Sequence, residues 1–352
     1  MAIQQQFNSN STAIQQAIQQ TPLLNRPIQP ISRVSAIQQP IQQQFNNQNT
    51  MPPRRRPAGL RPWLKLWFQY SEFRRPQVSP STYQRDYRKF EARLRAVKKA
   101  SPTLNSATEI LNWMNSHYSS ETTRRTMQQL NACGKWAVDQ GLVRENPWAG
   151  LQTQIRKPPP GRDAWAAFTA AERDLIITQF EADHPHLLPW VKFQFFTGAR
   201  PEETAALTWG NVAQDNSWVL FNQARPVDTG IIQRTKNYRE TRFPCNPRLA
   251  QLIASQRQTA DPSVPWVLPG LRGGPFDYKN FQERYWKPVV NQLVAQGLVA
   301  CYLSQYHTRH TWITLALDHL PPQDVAYLAR TSVDVIYKHY VGRNRKIEIP
   351  EF

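Results

Sequence analysis

The sequence predicts a mainly α-helical protein with a small β-sheet, organised as two domains behind an N-terminal arm. Three observations carry that prediction. Apolar residues recur at steps of three and four in two separate regions, the period of a buried helix face. Between those regions "RKPPPGRD", Arg156 to Asp163, stays extended and outside any core. Two strand-like runs, "SWVLFNQ" and "RETRFPC", occur in the second region. The expected boundaries are an arm over 1–52, a helical domain over 53–155, a linker over 156–164 and a second domain with a C-terminal tail over 165–352.

The arm is compositionally biased. Fourteen of its first 50 residues are Gln, and "AIQQQFN", "AIQQAIQQ" and "AIQQPIQQQFN" echo one another. With almost no charge and little to bury, it reads as disordered, low-complexity sequence. "PPRRRP", Pro52 to Pro57, follows and is read as solvated or phosphate-contacting.

In the first domain Tyr83, Tyr87, Phe90, Leu94 and Val97 mark one helix face, with Ser79 or Ser81 as N-cap. Seven Arg and Lys residues between Arg85 and Lys99 cover most of the remaining surface. Ile110, Leu111, Trp113 and Met114 mark a shorter helix. Met127, Leu130, Ala137 and Val138 mark a third, stopped by Gly141 and "ENPW". This is a small basic helical bundle.

The second domain opens with Thr169 and Glu172 spaced as a capping box. A buried helix follows, then a tight turn at Thr197-Gly198 and a helix opening at Pro201, a favoured first position. The strand-like runs flank "RTKNYRE", and from about Phe281 onward the pattern is helical.

Charge narrows the function. The formal net charge is +18, of which +13 falls within residues 51–160. A concentrated positive segment points to a polyanionic partner, nucleic acid first. Cys133, Cys245 and Cys301 are scattered and fit neither a disulfide framework nor a zinc module, so the cytoplasm is the default location. No apolar run reaches the ~18 residues of a membrane helix, and the N-terminus does not read as a signal peptide.

Four stretches stand in a telling order: "TGARPEE", "RTK" between strands, "YHTRHTW" and "VIYKHY". With the Tyr…Tyr…Phe helix and the "NPW" exit of the bundle, they make residues 65–345 or so resemble the tyrosine recombinases, the phage-integrase superfamily. The resemblance implies a two-domain DNA clamp. A helical, SAM-like core-binding domain would face an α+β catalytic domain across the duplex. Arg200 matches the first catalytic arginine and Glu203 the acidic residue that accompanies it. Lys236 matches the hairpin lysine, Arg309 the second arginine and His310 the histidine after it. Two positions depart from the pattern. Tyr306 stands where the family usually has His, with His307 one place off; Thr331, preceded by Arg330 rather than Gly, stands at the later His or Trp position. The family's nucleophile lies nine residues beyond that position, which is Tyr340. Tyr337, one helical turn earlier, is expected to pack with Ile336 as core.

The chemistry suits these residue types. Two guanidiniums can clamp the nonbridging oxygens of a phosphodiester with forked hydrogen bonds, and they stay charged. A phenol attacking phosphorus would give a 3′-phosphotyrosine that keeps the bond energy, and a lysine could protonate the leaving 5′-oxygen. No cofactor, ATP or metal is expected. There is no GxxxxGK[ST] loop, and Arg309 between His307 and His310 argues against a metal pair. The expected partners are double-stranded recombination sites, with four protomers on two sites by resemblance; a DNA-bending accessory protein is left open. The competing readings are a DNA-binding protein with a decayed site, motivated by Tyr306 and Thr331, and a type IB topoisomerase-like enzyme.

Overall fold

The computed structural model of the protein describes residues 59–156, 165–234 and 240–341, all within one compact unit, Arg56–Phe352. The Gln-rich arm, the Arg54–Arg56 run, nearly all of the linker, Lys236 and the tail beyond Val341 lie outside the described residues.

The chain first builds a helical bundle. Helix α1 (Leu60–Arg74) buries Leu60, Trp63, Trp67 and Tyr70, again at steps of three and four. A single turn, Pro80–Thr82, capped by Ser79, leads through a π-helical stretch, Tyr83–Arg88, into α2 (Lys89–Ala100). Phe90, Leu94 and Val97 of α2 are buried as the periodicity requires. Tyr83, at the start of the expected face, is half-buried and donates its hydroxyl to Glu72 at 2.6 Å. Helices α3 (Ala107–His117) and α4 (Ser120–Asp139) carry the serine N-caps Ser106 and Ser119. Trp67 lies at the centre, with Phe90 3.9 Å and Tyr87 5.5 Å away between ring centroids. Residues of this core run from Leu60 to Ile155.

The exit of the bundle explains its "NPW". Asn146 donates to the side-chain oxygen of Asn131 at 2.7 Å and accepts from the backbone N–H of Trp148 at 3.1 Å. It fits because position 134 of α4 is glycine: a Cβ there would lie 2.0 Å from the Asn146 side-chain oxygen.

A separate core runs from Phe168 to Leu303. Helix α5 (Ala170–Asp183) opens on the expected capping box, closed in both directions by Thr169 and Glu172. Helix α6 (Leu188–Thr197) is buried nearly all round, and α7 (Pro201–Thr204) is a single turn. Strands β1 (Trp218–Phe221) and β4 (Thr241–Pro244) pair antiparallel, Trp218 opposite Pro244 and Phe221 opposite Thr241. Strands β2 (Gln223–Ala224) and β3 (Gln233–Arg234) form a second small antiparallel pair. Helix α8 (Pro247–Gln258) follows, then α9 (Lys287–Ala295), entered through a π-helical stretch, Gln282–Trp286.

The last three helices, α10 (His307–Ala316), α11 (Pro322–Leu328) and α12 (Val333–His339), enclose a smaller apolar cluster of Ile313, Val325, Ala326, Ala329, Ile336 and Tyr340. One ion pair, Lys89 to Asp228 at 3.0 Å, joins α2 to the segment between β2 and β3. It is solvent-exposed and contributes about 0–1 kcal/mol. Among the described residues no helix is long and apolar enough to cross a membrane.

Gly134→Ala tests the bundle exit. Alanine favours a helix over glycine by about 1 kcal/mol, but overpacking against a hydrogen-bonded side chain costs about 1–3 kcal/mol. The expected outcome is a net loss of stability in urea unfolding; a stabilised variant would show that Asn146 moves aside freely.

Candidate active site

The site forms where the ends of five helices meet. Helix α6 stops at Gly198, whose φ of 56° is left-handed and whose hypothetical Cβ would come 2.9 Å from Trp312 Cβ. Glycine alone meets both conditions. Two residues later the extended Arg200 occupies the N-cap of α7, with Pro201 at its first position. Glu203, at the third position of that turn, reaches back. Its carboxylate accepts the Arg200 backbone N–H at 3.1 Å and Arg200 Nη1 at 2.7 Å.

Arg309 comes from the first turn of α10 and is buried. It donates Nη1 to the carbonyl of Gly198 at 2.8 Å and Nη2 to the carbonyl of Ala329. Both carbonyls belong to helix C-caps, α6 and α11. Such carbonyls lack partners within their helices and carry partial negative charge. Two helix ends thus hold a buried cation.

The C-terminus of α11 is a Schellman turn. The N–H of Arg330 bonds the carbonyl of Tyr327 and that of Thr331 bonds the carbonyl of Ala326, each at 3.0 Å. Such a turn needs a left-handed residue, usually glycine. Here it is Arg330, with φ 55°, at a cost of about 1 kcal/mol or more. Its side chain is 5% exposed and donates Nε to Glu203 at 2.8 Å and Nη1 to the Leu328 carbonyl at 2.6 Å. The guanidinium lies 4.0 Å from the ring centroid of Phe221. Its own carbonyl accepts Arg200 Nη2 at 3.1 Å.

Tyr340 follows α12 as its C-cap, leaving helical geometry at φ −126° and ψ −39°. It is 7% exposed, and its hydroxyl lies 2.5 Å from His310 Nδ1. Trp165, just past the linker, stacks on His339 with centroids 3.8 Å apart and sets its edge against His310 and Tyr340. Tyr306 is 39% exposed, with its ring 5.4 Å from that of His310.

Burial and like charge set the electrostatics. Burial works against ionisation of Glu203, but Arg330, Arg200 and Arg309 overcome it and hold the carboxyl at about 2. Burial, then repulsion from Arg200 and Arg330, push Arg309 down to about 10. Burial pulls Arg200 down as well, but Glu203, with Tyr306, reverses the direction and raises it. All three guanidiniums and Glu203 are charged at neutral pH.

The structure brings together Arg200, Glu203, Arg309, His310, Tyr306 and Tyr340. Lys236 lies outside the described residues. Thr331 sits beside the cluster and supplies a backbone N–H to the Schellman turn. One expectation is corrected: Tyr337 is 52% exposed rather than packed in the core. Ile336 and Tyr340, four apart, share the buried face, and Tyr337 points about 100° away from Ile336. One contributor, Trp165, escaped the sequence reading, and another, Arg330, was read only as a departure from the pattern. Trp165 carries no local signal, being a lone aromatic after a linker. Arg330 did carry one, since it replaces the glycine usual before the Thr331 position.

No protein-family model matches the sequence, and no curated protein matches it. Solved structures do. The Tn1549 transposon integrase, in complex with a circular intermediate DNA, aligns with a TM-score of 0.65 at 16% identity, covering 79% of this chain and 94% of that one. A lambda integrase dimer bound to a COC′ core site aligns with a TM-score of 0.60 at 14% identity, covering 81% of this chain and 98% of that one. A lambda integrase tetramer bound to a Holliday junction aligns at 0.62 and 14%, covering 93% and 91%. The fold is therefore the integrase fold: mainly helical with small sheets, as the sequence predicted. At these identities the likeness fixes the architecture, and the chemistry rests on the residues.

Glu203→Gln tests the cluster. Removing one partner of a buried ion pair costs about 3–5 kcal/mol, so a loss below about 1 kcal/mol in urea would count against the arrangement. The folded pKa, about 2, lies below the ordinary 4.5. The carboxylate's contribution is therefore complete above pH 4.5 and fades as pH falls toward 2. The stability difference between wild type and variant is expected to shrink across that window and stay constant above it.

Proposed function

We propose that this chain is a site-specific DNA recombinase of the integrase type, which cuts and rejoins DNA through a 3′-phosphotyrosine. The observation that carries the reading is the hydrogen bond between Tyr340 and His310, the latter next in sequence to the buried Arg309 and 5.4 Å ring to ring from Tyr306, which acts on both Arg200 and Arg309. A site for a cationic or apolar substrate would not bury such an excess of positive charge. A phosphodiester, with charge concentrating on its nonbridging oxygens as it breaks, is the matching ligand.

Each residue then has a role. Arg200 and Arg309 hold the scissile phosphate. Glu203 orients Arg200. His310 orients the Tyr340 phenol, whose ordinary pKa is about 10, and takes its proton as it attacks phosphorus. The P–O bond to the 5′-oxygen breaks, and Lys236, in the segment between β3 and β4, donates the proton the leaving group needs. Attack by a different 5′-hydroxyl reverses the steps and joins a new strand. Tyr306 replaces the usual histidine beside the phosphate, and Thr331 acts through the turn it closes.

The DNA complexes formed by the integrases of this fold support a duplex substrate, and the tetrameric lambda assembly supports four protomers on two sites. The basic bundle would lie on the phosphate backbone, as the first domain of a clamp with the second domain opposite. Such a protein works in the cytoplasm of its host, where the DNA is.

Trapping under denaturing conditions tests this reading. Wild-type protein is expected to carry DNA covalently, ending at one recurrent sequence, and so is Tyr337→Phe. Tyr340→Phe is expected to bind DNA but carry none. Linked DNA in Tyr340→Phe would move the nucleophile elsewhere. No linked DNA with any of the three, with binding intact, would favour a DNA-binding protein with a decayed site.

A further inference from the structure

We propose that Arg330 is a positioning residue that sets the charge of the active site: by taking one oxygen of Glu203, it keeps Arg200 from being neutralised. The inference rests on the recombinase reading and adds a residue to it.

The geometry is specific. The Glu203 carboxylate is shared, one oxygen to Arg200 Nη1 at 2.7 Å and the other to Arg330 Nε at 2.8 Å. Arg330 is buried against Phe221, and its remaining nitrogen, Nη2, has no hydrogen-bond acceptor among the described residues. With 5% of its side chain exposed, it is not placed to touch a substrate. Its cost is also visible. It occupies a left-handed position that glycine fills without strain, and it buries a third cation beside two others.

The consequence lies in the net charge. With glycine at 330, Glu203 would face Arg200 alone, and the pair would be neutral; Arg309 would be the one net charge left. With Arg330, the three guanidiniums and the one carboxylate hydrogen-bonded to them sum to +2; Glu202, which also acts on Arg200, is present in either case, so Arg330 adds one positive charge. A phosphodiester carries −1, and attack by a phenolate raises the phosphorane to −2. The cluster matches that second charge, which exists only in the transition state. Interactions of that kind raise the rate rather than the affinity, and burial strengthens them.

The test uses a nicked duplex carrying the sequence recovered from trapped complexes, and reads the single-turnover rate of covalent adduct formation. Arg330→Gly suits the backbone and removes the charge. Its adduct rate is expected to fall about 10- to 100-fold, with DNA affinity within about twofold by gel shift. Adding Glu203→Gln removes the negative charge that neutralises Arg200, keeps an amide oxygen that can still accept from Arg200 and orient it, and returns the sum to +2, so the double variant is expected to be faster than Arg330→Gly alone. A packing role would give no such rescue, since the second substitution removes a further contact. A double variant no faster than the single one overturns the proposal. So does an Arg330→Gly protein as fast as wild type. Where Arg330→Gly does not fold, Arg330→Gln decides: the charge is lost and a polar side chain kept, so an adduct rate equal to wild type overturns the proposal and a fall of about 10- to 100-fold supports it. A wild-type protein that forms no adduct overturns the recombinase reading itself.

Discussion

The structure depends on one carboxylate. Glu203 is the acidic group bonded within a cluster of three buried or half-buried guanidiniums, and it ties together parts of the chain 127 residues apart. Without it, Arg200, Arg309 and Arg330 would repel one another in a medium that screens charge poorly. One negative charge cannot balance three positive ones. The rest comes from backbone carbonyls at helix ends, at Gly198, Leu328, Ala329 and Arg330. Those carbonyls would otherwise need water. Their need and the arginines' need are met by the same bonds.

This is why short helices suffice around the site. Helix α7 has four residues, and α11 and α12 have seven each. Such helices are marginal on their own. What fixes them is how they end: Pro201 opens α7, the Schellman turn closes α11, and Tyr340 leaves α12 as its cap. A long helix would carry functional groups along a face. A cluster of short ones brings several termini, with their orphan carbonyls, to one point.

Local contacts were legible in the sequence and distant ones were not. The capping box of α5, the Ser79 cap in the bundle and the Arg200–Glu203 spacing were legible because each is decided within four residues. The expectation that Tyr340 is the nucleophile came from its spacing from Thr331, and its hydroxyl lies 2.5 Å from His310 Nδ1. The exposure of Tyr337 was not, because two tyrosines three apart look alike until the helix phase is known, and Ile336 with Tyr340 sets that phase. Arg330 shows in the sequence only as a missing glycine. Its partner lies in a different helix, and no local pattern announces a left-handed arginine. Trp165 shares that problem, since its stacking partner, His339, is far along the chain.

The choice of cation at each place follows from burial. Surroundings that push Arg309 down from 12.5 to about 10 would push a lysine down too, from a lower ordinary value of about 10.4. It would hold its charge less firmly than an arginine in the same place. A residue that must hold charge in such a place has to be arginine. A residue that must give up a proton cannot be. Lys236, His310 and Tyr340 are the groups in this set able to release or accept one. In the proposed mechanism every proton transfer falls to them and every fixed charge to arginine. The buried cluster therefore supplies a field that pH does not alter across the physiological range, and the titrating groups around it can be tuned independently.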